Sequence, residues 1–171
     1  MAEVVSSEHI QGVHVVTPDV YPDQRGFFVE TYRREWIPEA SREMVQANRG
    51  DRQSGCIVGL HYHLHQADYW YVPFGTVRVV LHDLREGSPT EGATQQTDLT
   101  GTDHRGIYIP PGVAHGFATL TDATITYLVD SYYNPSDELG VAWNGPEIAA
   151  DWGEDEPTPV TYTHLTLPTK A

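Results

Sequence analysis

The sequence predicts an all-β fold, a jelly roll whose two antiparallel sheets enclose one pocket. Short β-branched and aromatic runs recur along the chain, separated by Pro, Gly and Asp. About nine such runs are present, a number that suits a sandwich or jelly roll. No segment holds a long apolar period of 3.6 residues, so helices are confined to short turns.

In chain order the first run, 13–17, is rich in valine. The second, 27–32, opens on a pair of phenylalanines after the turn residues Asp23-Gln24-Arg25-Gly26. A helical turn is expected at 36–42, then strands at 45–48 and 56–62, the latter ending in histidine and tyrosine. Aromatic 69–72 and valine-rich 77–83 flank Gly75, which closes the turn between them. Strands at 106–109, 116–120 and 125–129 complete the set. Residues 1–152 read as one domain. The tail, 153–171, carries acidic residues, then Pro and Thr without period, and reads as weakly ordered; its last stretch, from Thr163, reads as a gene-boundary remnant.

The chain has 171 residues, with 10 Lys+Arg against 24 Asp+Glu and a net charge of −14. One domain of this length buries a core without staples. The acidic balance argues against nucleic acid and anionic membranes as partners, because both need a basic surface. The single Cys56 permits no intramolecular disulfide, which favours a reducing cytoplasm, and it reads as a small buried hydrophobe. No leader-like run or membrane-length apolar stretch is present. The only lysine is Lys170, so the cations of the domain are arginines and histidines.

The histidines carry the first chemical signal. In Gly59-Leu60-His61-Tyr62-His63-Leu64-His65, period-2 alternation puts His61 and His63 on one face. With Gly55, Asp68 and Gly75 this spacing resembles the first motif of the cupin superfamily, with Asp in place of Glu. Pro110-Pro111-Gly112-Val113-Ala114-His115 resembles the second, with Thr119 where Asn usually ends it. His61, His63, Asp68 and His115 would then hold one divalent metal ion of the Fe, Mn, Ni or Zn type. The alternative is a polar pocket of histidines without metal.

A longer resemblance covers Val13 to Trp152. Asp23 through Glu30, Gln46-Ala47-Asn48, Gly59-Leu60-His61-Tyr62, Asp83 through Thr90 and Tyr108 through Phe117 carry its first part. Tyr127, Tyr132-Tyr133-Asn134-Pro135, Glu138, Trp143-Asn144-Gly145-Pro146 and Asp151-Trp152 carry the rest. These segments are similar to the dTDP-4-dehydrorhamnose 3,5-epimerases, a family of cupin-type jelly rolls. The resemblance implies proton abstraction beside the ketone of a nucleotide-linked 4-keto-6-deoxy sugar, without metal or other cofactor. It implies His61 as base and Tyr127 as acid. Arg25, Phe28, Glu30, Gln46, Asn48, His115, Tyr133 and Glu138 match positions lining the sugar-nucleotide site, with Arg25 on the diphosphate. It further implies a homodimer, with the strands near Phe28 and Glu30 exchanged between subunits. By residue type alone, Phe28 and Tyr133 are more often core aromatics than stacking platforms, and Arg25 with Glu30 reads as a surface ion pair.

The chain departs from that family at four places. Asp68 stands where a lysine helps hold the enolate oxygen, and Val79 stands where that lysine's aspartate is expected. Val58 replaces an arginine before Gly-Leu-His, and no Ser-x-x-Asp segment follows Trp152. A metal at the histidine cluster could take over the lysine's task. Three readings therefore compete: a sugar-nucleotide epimerase, a metal-dependent cupin enzyme on another substrate, and a non-catalytic nucleotide-sugar binding protein.

Overall fold

Two sheets face each other in the computed structural model, which describes residues 1–37, 42–153 and 158–159. The first sheet runs in the order β1 (Glu3–Ser6), β2 (His14–Thr17), β10 (Gly106–Ile109), β7 (Asp68–Phe74), β12 (Ala123–Val129) and β5 (Gln46–Arg52). The second runs β13 (Leu139–Gly140), β6 (Cys56–Tyr62), β11 (Val113–Thr119), β8 (Thr76–Asp83) and β9 (Thr94–Thr100). These pairings are antiparallel, and β14 (Thr158–Pro159) adds in parallel to β6. A separate two-stranded ribbon is formed by β3 (Val20–Asp23) and β4 (Gly26–Val29).

Alternation explains why the central strands read as apolar runs. Trp70 and Val72 of β7 meet Val77, Val79 and Leu81 of β8 and Phe117 of β11 between the sheets. The intervening Tyr69 and Tyr71 pack outward with Val16, Ile37 and Tyr108. Val80, Ala114 and Ala118 pack outward on the second sheet, under Val141, Ile148 and Trp152. Both faces of these strands are covered, so period 2 is hidden and only apolarity shows.

Strands escaped the sequence where side chains are polar. Edge strand β9 reads Thr-Gln-Gln-Thr-Asp-Leu-Thr, and it forms because β8 offers it seven paired positions, Thr76↔Thr100 through His82↔Thr94. Strand β5 continues to Arg52 through Arg49, Gly50 and Asp51, since β12 pairs it from Val129↔Gln46 to Ala123↔Arg52. Strands β1, β3, β13 and β14 were also unexpected. The expected strand at 27–32 stops at Val29, because its partner β3 ends the pairing at Val20. The helical turn at 36–42 is instead a 3₁₀ turn at Arg34–Trp36, and residues 38–41 lie outside the described residues. Cys56 is half-buried rather than buried. In the tail Thr158–Pro159 is a strand; residues 154–157 and 160–171, Lys170 among them, lie outside the described residues. No described helix is long and apolar enough to cross a membrane.

One of the matched segments is structural. The Asp83 carboxylate, fully buried, accepts from the Arg85 guanidinium (Nε 2.8 Å, Nη2 2.8 Å), from Ser88 Oγ (2.8 Å) and from Thr90 Oγ1 (2.7 Å). Burial pushes its pKa up, but these bonds outweigh burial and hold it well below the usual carboxylate range. Asp83 thereby pins the connection from β8 to β9.

Candidate active site

Between the sheets lies a cavity of about 270 Å³, lined from both sides by polar groups. Strand β5 supplies it with every second residue, Gln46, Asn48, Gly50 and Arg52. The Gln46 amide donates to Asn48 Oδ1 at 2.9 Å, tying two expected site residues together. Tyr127 enters from β12, while Tyr133 and Glu138 stand at the rim, both exposed.

His61 reaches the cavity through a bulge. Opposite β11, His115 pairs with His61 but Phe117 pairs with Val58, so three steps of β6 oppose two of β11. Gly59, at φ +119°, absorbs the extra residue. Without it, alternation from inward Val58 would turn His61 to the outer face, where Ile57 and Leu60 pack. A side chain at 59 would place its Cβ 2.7 Å from Gly116 Cα and 2.9 Å from the His115 carbonyl oxygen. Only glycine fits this crossing of strands.

Burial pulls the His61 pKa down, against the opposing pull of the Glu138 charge, so the ring is neutral and able to accept a proton at neutral pH. Burial pushes the Tyr127 phenol the other way, upward; the Asp68 charge adds to this and Arg52 opposes it. The two groups project from different sheets into one space, their pKa values moved apart by burial.

A second group sits deeper. His115 and Asp68 are buried, and His115 Nε2 lies 3.9 Å from Asp68 Oδ2. The His63 ring is 5.4 Å from that of His115, centre to centre. Asp68 accepts from Gln66 Nε2 at 2.9 Å and from Trp70 Nε1 at 3.0 Å. Ligand atoms of His63, Asp68 and His115 all lie within 4.8 Å of one another. His61 is not part of that set, which corrects the four-ligand arrangement expected from the motif spacing.

Seven of the ten residues expected at the site meet at the cavity: Gln46, Asn48, His61, His115, Tyr127, Tyr133 and Glu138. Arg25, Phe28 and Glu30 do not. They belong to the ribbon and its exit, where Arg25 pairs with Asp23 at 2.6 Å and Glu30 with Arg33 at 3.2 Å. Phe28 is 64% exposed, and Tyr21 and Phe27 beside it are exposed as well.

Arg52 and Asp137 were not expected. Among the described residues Arg52 forms no ion pair; its Nη1 donates to the Asp51 carbonyl at 2.9 Å and its buried Nε has no partner. Among the described residues it is the one arginine lining the cavity. Asp137 fixes the loop that carries His63. Its carboxylate accepts from the N–H groups of Leu64 (2.7 Å) and His65 (3.2 Å), and its carbonyl accepts from His63 Nδ1 (2.7 Å).

Residues 7–166 match the family model of dTDP-4-dehydrorhamnose 3,5-epimerase. A dTDP-4-dehydrorhamnose 3,5-epimerase of Neisseria gonorrhoeae is 40% identical over 82% of this chain, which spans only 44% of that relative. One of Pseudomonas aeruginosa is 37% identical, covering 84% of this chain and 82% of its own length. Among solved structures, the dTDP-6-deoxy-D-glucose-3,5-epimerase of Legionella pneumophila in complex with dTDP-4-keto-L-rhamnose superposes with a TM-score of 0.87. It shares 30% identity, over 95% of this chain and 89% of its own.

Proposed function

Because the chain belongs to the dTDP-4-dehydrorhamnose 3,5-epimerase family, we propose that it is an epimerase of a dTDP-linked 4-keto-6-deoxy sugar. The observation that carries this reading is the pairing of His61 with Tyr127 across one cavity, their pKa values moved in opposite directions by burial. His61 takes the proton from a carbon beside the ketone. The electron pair left behind forms the carbon–carbon double bond of an enolate, and the carbonyl pair moves onto oxygen. Tyr127 then returns a proton to the opposite face as the carbonyl re-forms, which inverts the centre. The resulting imidazolium and phenolate reset through solvent. A base and an acid so placed each contribute roughly 10²–10⁴-fold.

Arg52 is the cation for the anionic end of this substrate. The arginine expected at position 58 is a valine, and Arg52 lines the same cavity as Val58 without a carboxylate partner of its own among the described residues. A guanidinium in that state suits phosphate oxygens. His115, Gln46, Asn48, Tyr133 and Glu138 are assigned to the sugar and nucleotide by their place on the cavity wall and rim.

A homodimer accounts for the remaining three residues. The ribbon exposes Tyr21, Phe27 and Phe28 together, an apolar strip more fitted to a second copy than to water. Arg25, Phe28 and Glu30 would then complete the partner's pocket. Sedimentation at the mass of one chain would contradict this arrangement.

The test of the activity is solvent exchange. dTDP-4-keto-6-deoxyglucose incubated with the protein in deuterated water should take up deuterium at carbon 3, carbon 5 or both, with inversion. An unlabelled, uninverted sugar would leave only a binding protein.

A further inference from the structure

We propose that His63, Asp68 and His115 form a binding site for one divalent transition-metal ion, such as Zn²⁺, Co²⁺ or Ni²⁺, which holds the charge that develops on the ketone oxygen. The second half of this proposal rests on the epimerase reading; the site itself does not.

The first argument is where the protons are. His63 Nδ1 lies 2.7 Å from the Asp137 carbonyl oxygen and His115 Nδ1 lies 2.9 Å from that of Val113. A carbonyl only accepts, so both Nδ1 atoms carry the hydrogen. In the neutral rings each Nε2 is then a bare lone pair. Histidine ligands are held in this way, with the far nitrogen anchored on a carbonyl or carboxylate.

The second argument is what those lone pairs face. A ring nitrogen of each histidine and a carboxylate oxygen of Asp68 lie within 4.8 Å of one another, so three ligand groups share one pocket between the sheets. At 3.9 Å the His115 Nε2–Asp68 Oδ2 approach is too long for a hydrogen bond. Converging acceptors repel one another, and a cation placed among them turns that repulsion into attraction. Asp68 is itself braced from behind by Gln66 and Trp70, one bond to each oxygen, which leaves further lone pairs forward. Metal–ligand lengths of about 2.0–2.2 Å place ligand atoms roughly 3–3.5 Å apart. The observed separations, up to 4.8 Å, close to that range with small side-chain rotations.

The third argument is charge. The family resemblance puts a lysine where this chain has Asp68. A carboxylate alone would repel an enolate. With a divalent ion the set carries +2 − 1 = +1, the charge of the missing lysine, and two neutral imidazoles with one carboxylate leave coordination positions open for an oxygen ligand. His61 stays outside the cluster and remains available as base.

The experiment uses the full chain, stripped with chelator and titrated with Co²⁺ by calorimetry and visible absorption. One equivalent should bind, and Asp68→Asn and His63→Gln should each weaken binding at least 10-fold while melting like the stripped wild type. In parallel, deuterium uptake by dTDP-4-keto-6-deoxyglucose should fall at least 10-fold in chelator and return with added metal. Absence of stoichiometric binding, or binding unchanged in both variants, overturns the site. Uptake identical in stripped and loaded protein overturns its role in the reaction and leaves the epimerase reading intact. One equivalent bound, lost in both variants, with no uptake in any state supports the site and overturns the epimerase reading instead.

Discussion

His63 and Asp137 are joined three ways: ring Nδ1 to carbonyl oxygen at 2.7 Å, and the carboxylate to the two N–H groups that follow His63 in the chain. One buried residue therefore sets both the orientation of the imidazole and the course of its loop. Asp137→Ala leaves two amides without acceptors and should cost roughly 1–3 kcal/mol in urea denaturation. Asp137→Asn keeps one acceptor oxygen and should recover part of that loss. Metal affinity should fall 10–100-fold in the alanine variant, the usual effect of removing a residue that positions a ligand. Equal stability of the alanine variant and wild type would contradict this role.

Gly59→Ala should damage fold and activity together. Its Cβ would meet Gly116 Cα at 2.7 Å and the His115 carbonyl at 2.9 Å, backbone atoms that cannot swing aside, at a φ of +119°. A loss of at least about 2 kcal/mol is expected from the overpacking and strain. A variant of unchanged melting temperature and exchange rate would show that the bulge does not aim His61.

Arg52→Ala should raise KM for the dTDP-sugar by roughly 10–100-fold, the scale of one or two charge-assisted hydrogen bonds. Arg52→Lys should recover the charge but not the fork, and so fall between. Binding of dTDP alone, read by calorimetry, should weaken in the same order. Unaltered dTDP affinity in the alanine variant would remove Arg52 from the phosphate site.

Asp83 sets an acid limit on stability. Its pKa is depressed in the folded chain below the ordinary value of 3.8. The stabilisation is therefore present above the unfolded value and is lost as pH falls through the folded one. Asp83→Asn should lower stability near neutral pH by roughly 2–4 kcal/mol, since a buried partner is left facing Arg85. Its deficit against wild type should shrink on acidification below pH 3.8. A deficit that holds constant with pH would contradict the assignment.

The parts legible in sequence share a physical cause. Strands such as β7 and β8 are covered on both faces, so their apolar runs announce them regardless of partner. Strand β9 and the far half of β5 are strands only because β8 and β12 pair with them, and pairing is a long-range fact. At the site, His61, His115 and Tyr127 sit in motifs whose local spacing is distinctive. Arg52 is one of nine arginines, and nothing local marks it. Its standing appears only when Arg25, Arg78 and Arg85 are seen matched with Asp23, Asp98 and Asp83 while Arg52 is not. Asp137 reads as a turn residue in Pro135-Ser136-Asp137-Glu138 until the loop at His63 folds onto it. The reverse holds for Arg25, Phe28 and Glu30, whose motif is plain in sequence but whose place in one chain is away from the cavity.

The division of labour between His61 and Tyr127 is the central claim, and one measurement separates the two roles. Nuclear magnetic resonance of dTDP-4-keto-6-deoxyglucose recovered from deuterated water should show no label with His61→Asn, because no proton leaves. With Tyr127→Phe it should show label without inversion, because His61 still removes the proton and returns deuterium to the same face. Label and inversion at the wild-type rate in His61→Asn would contradict the account.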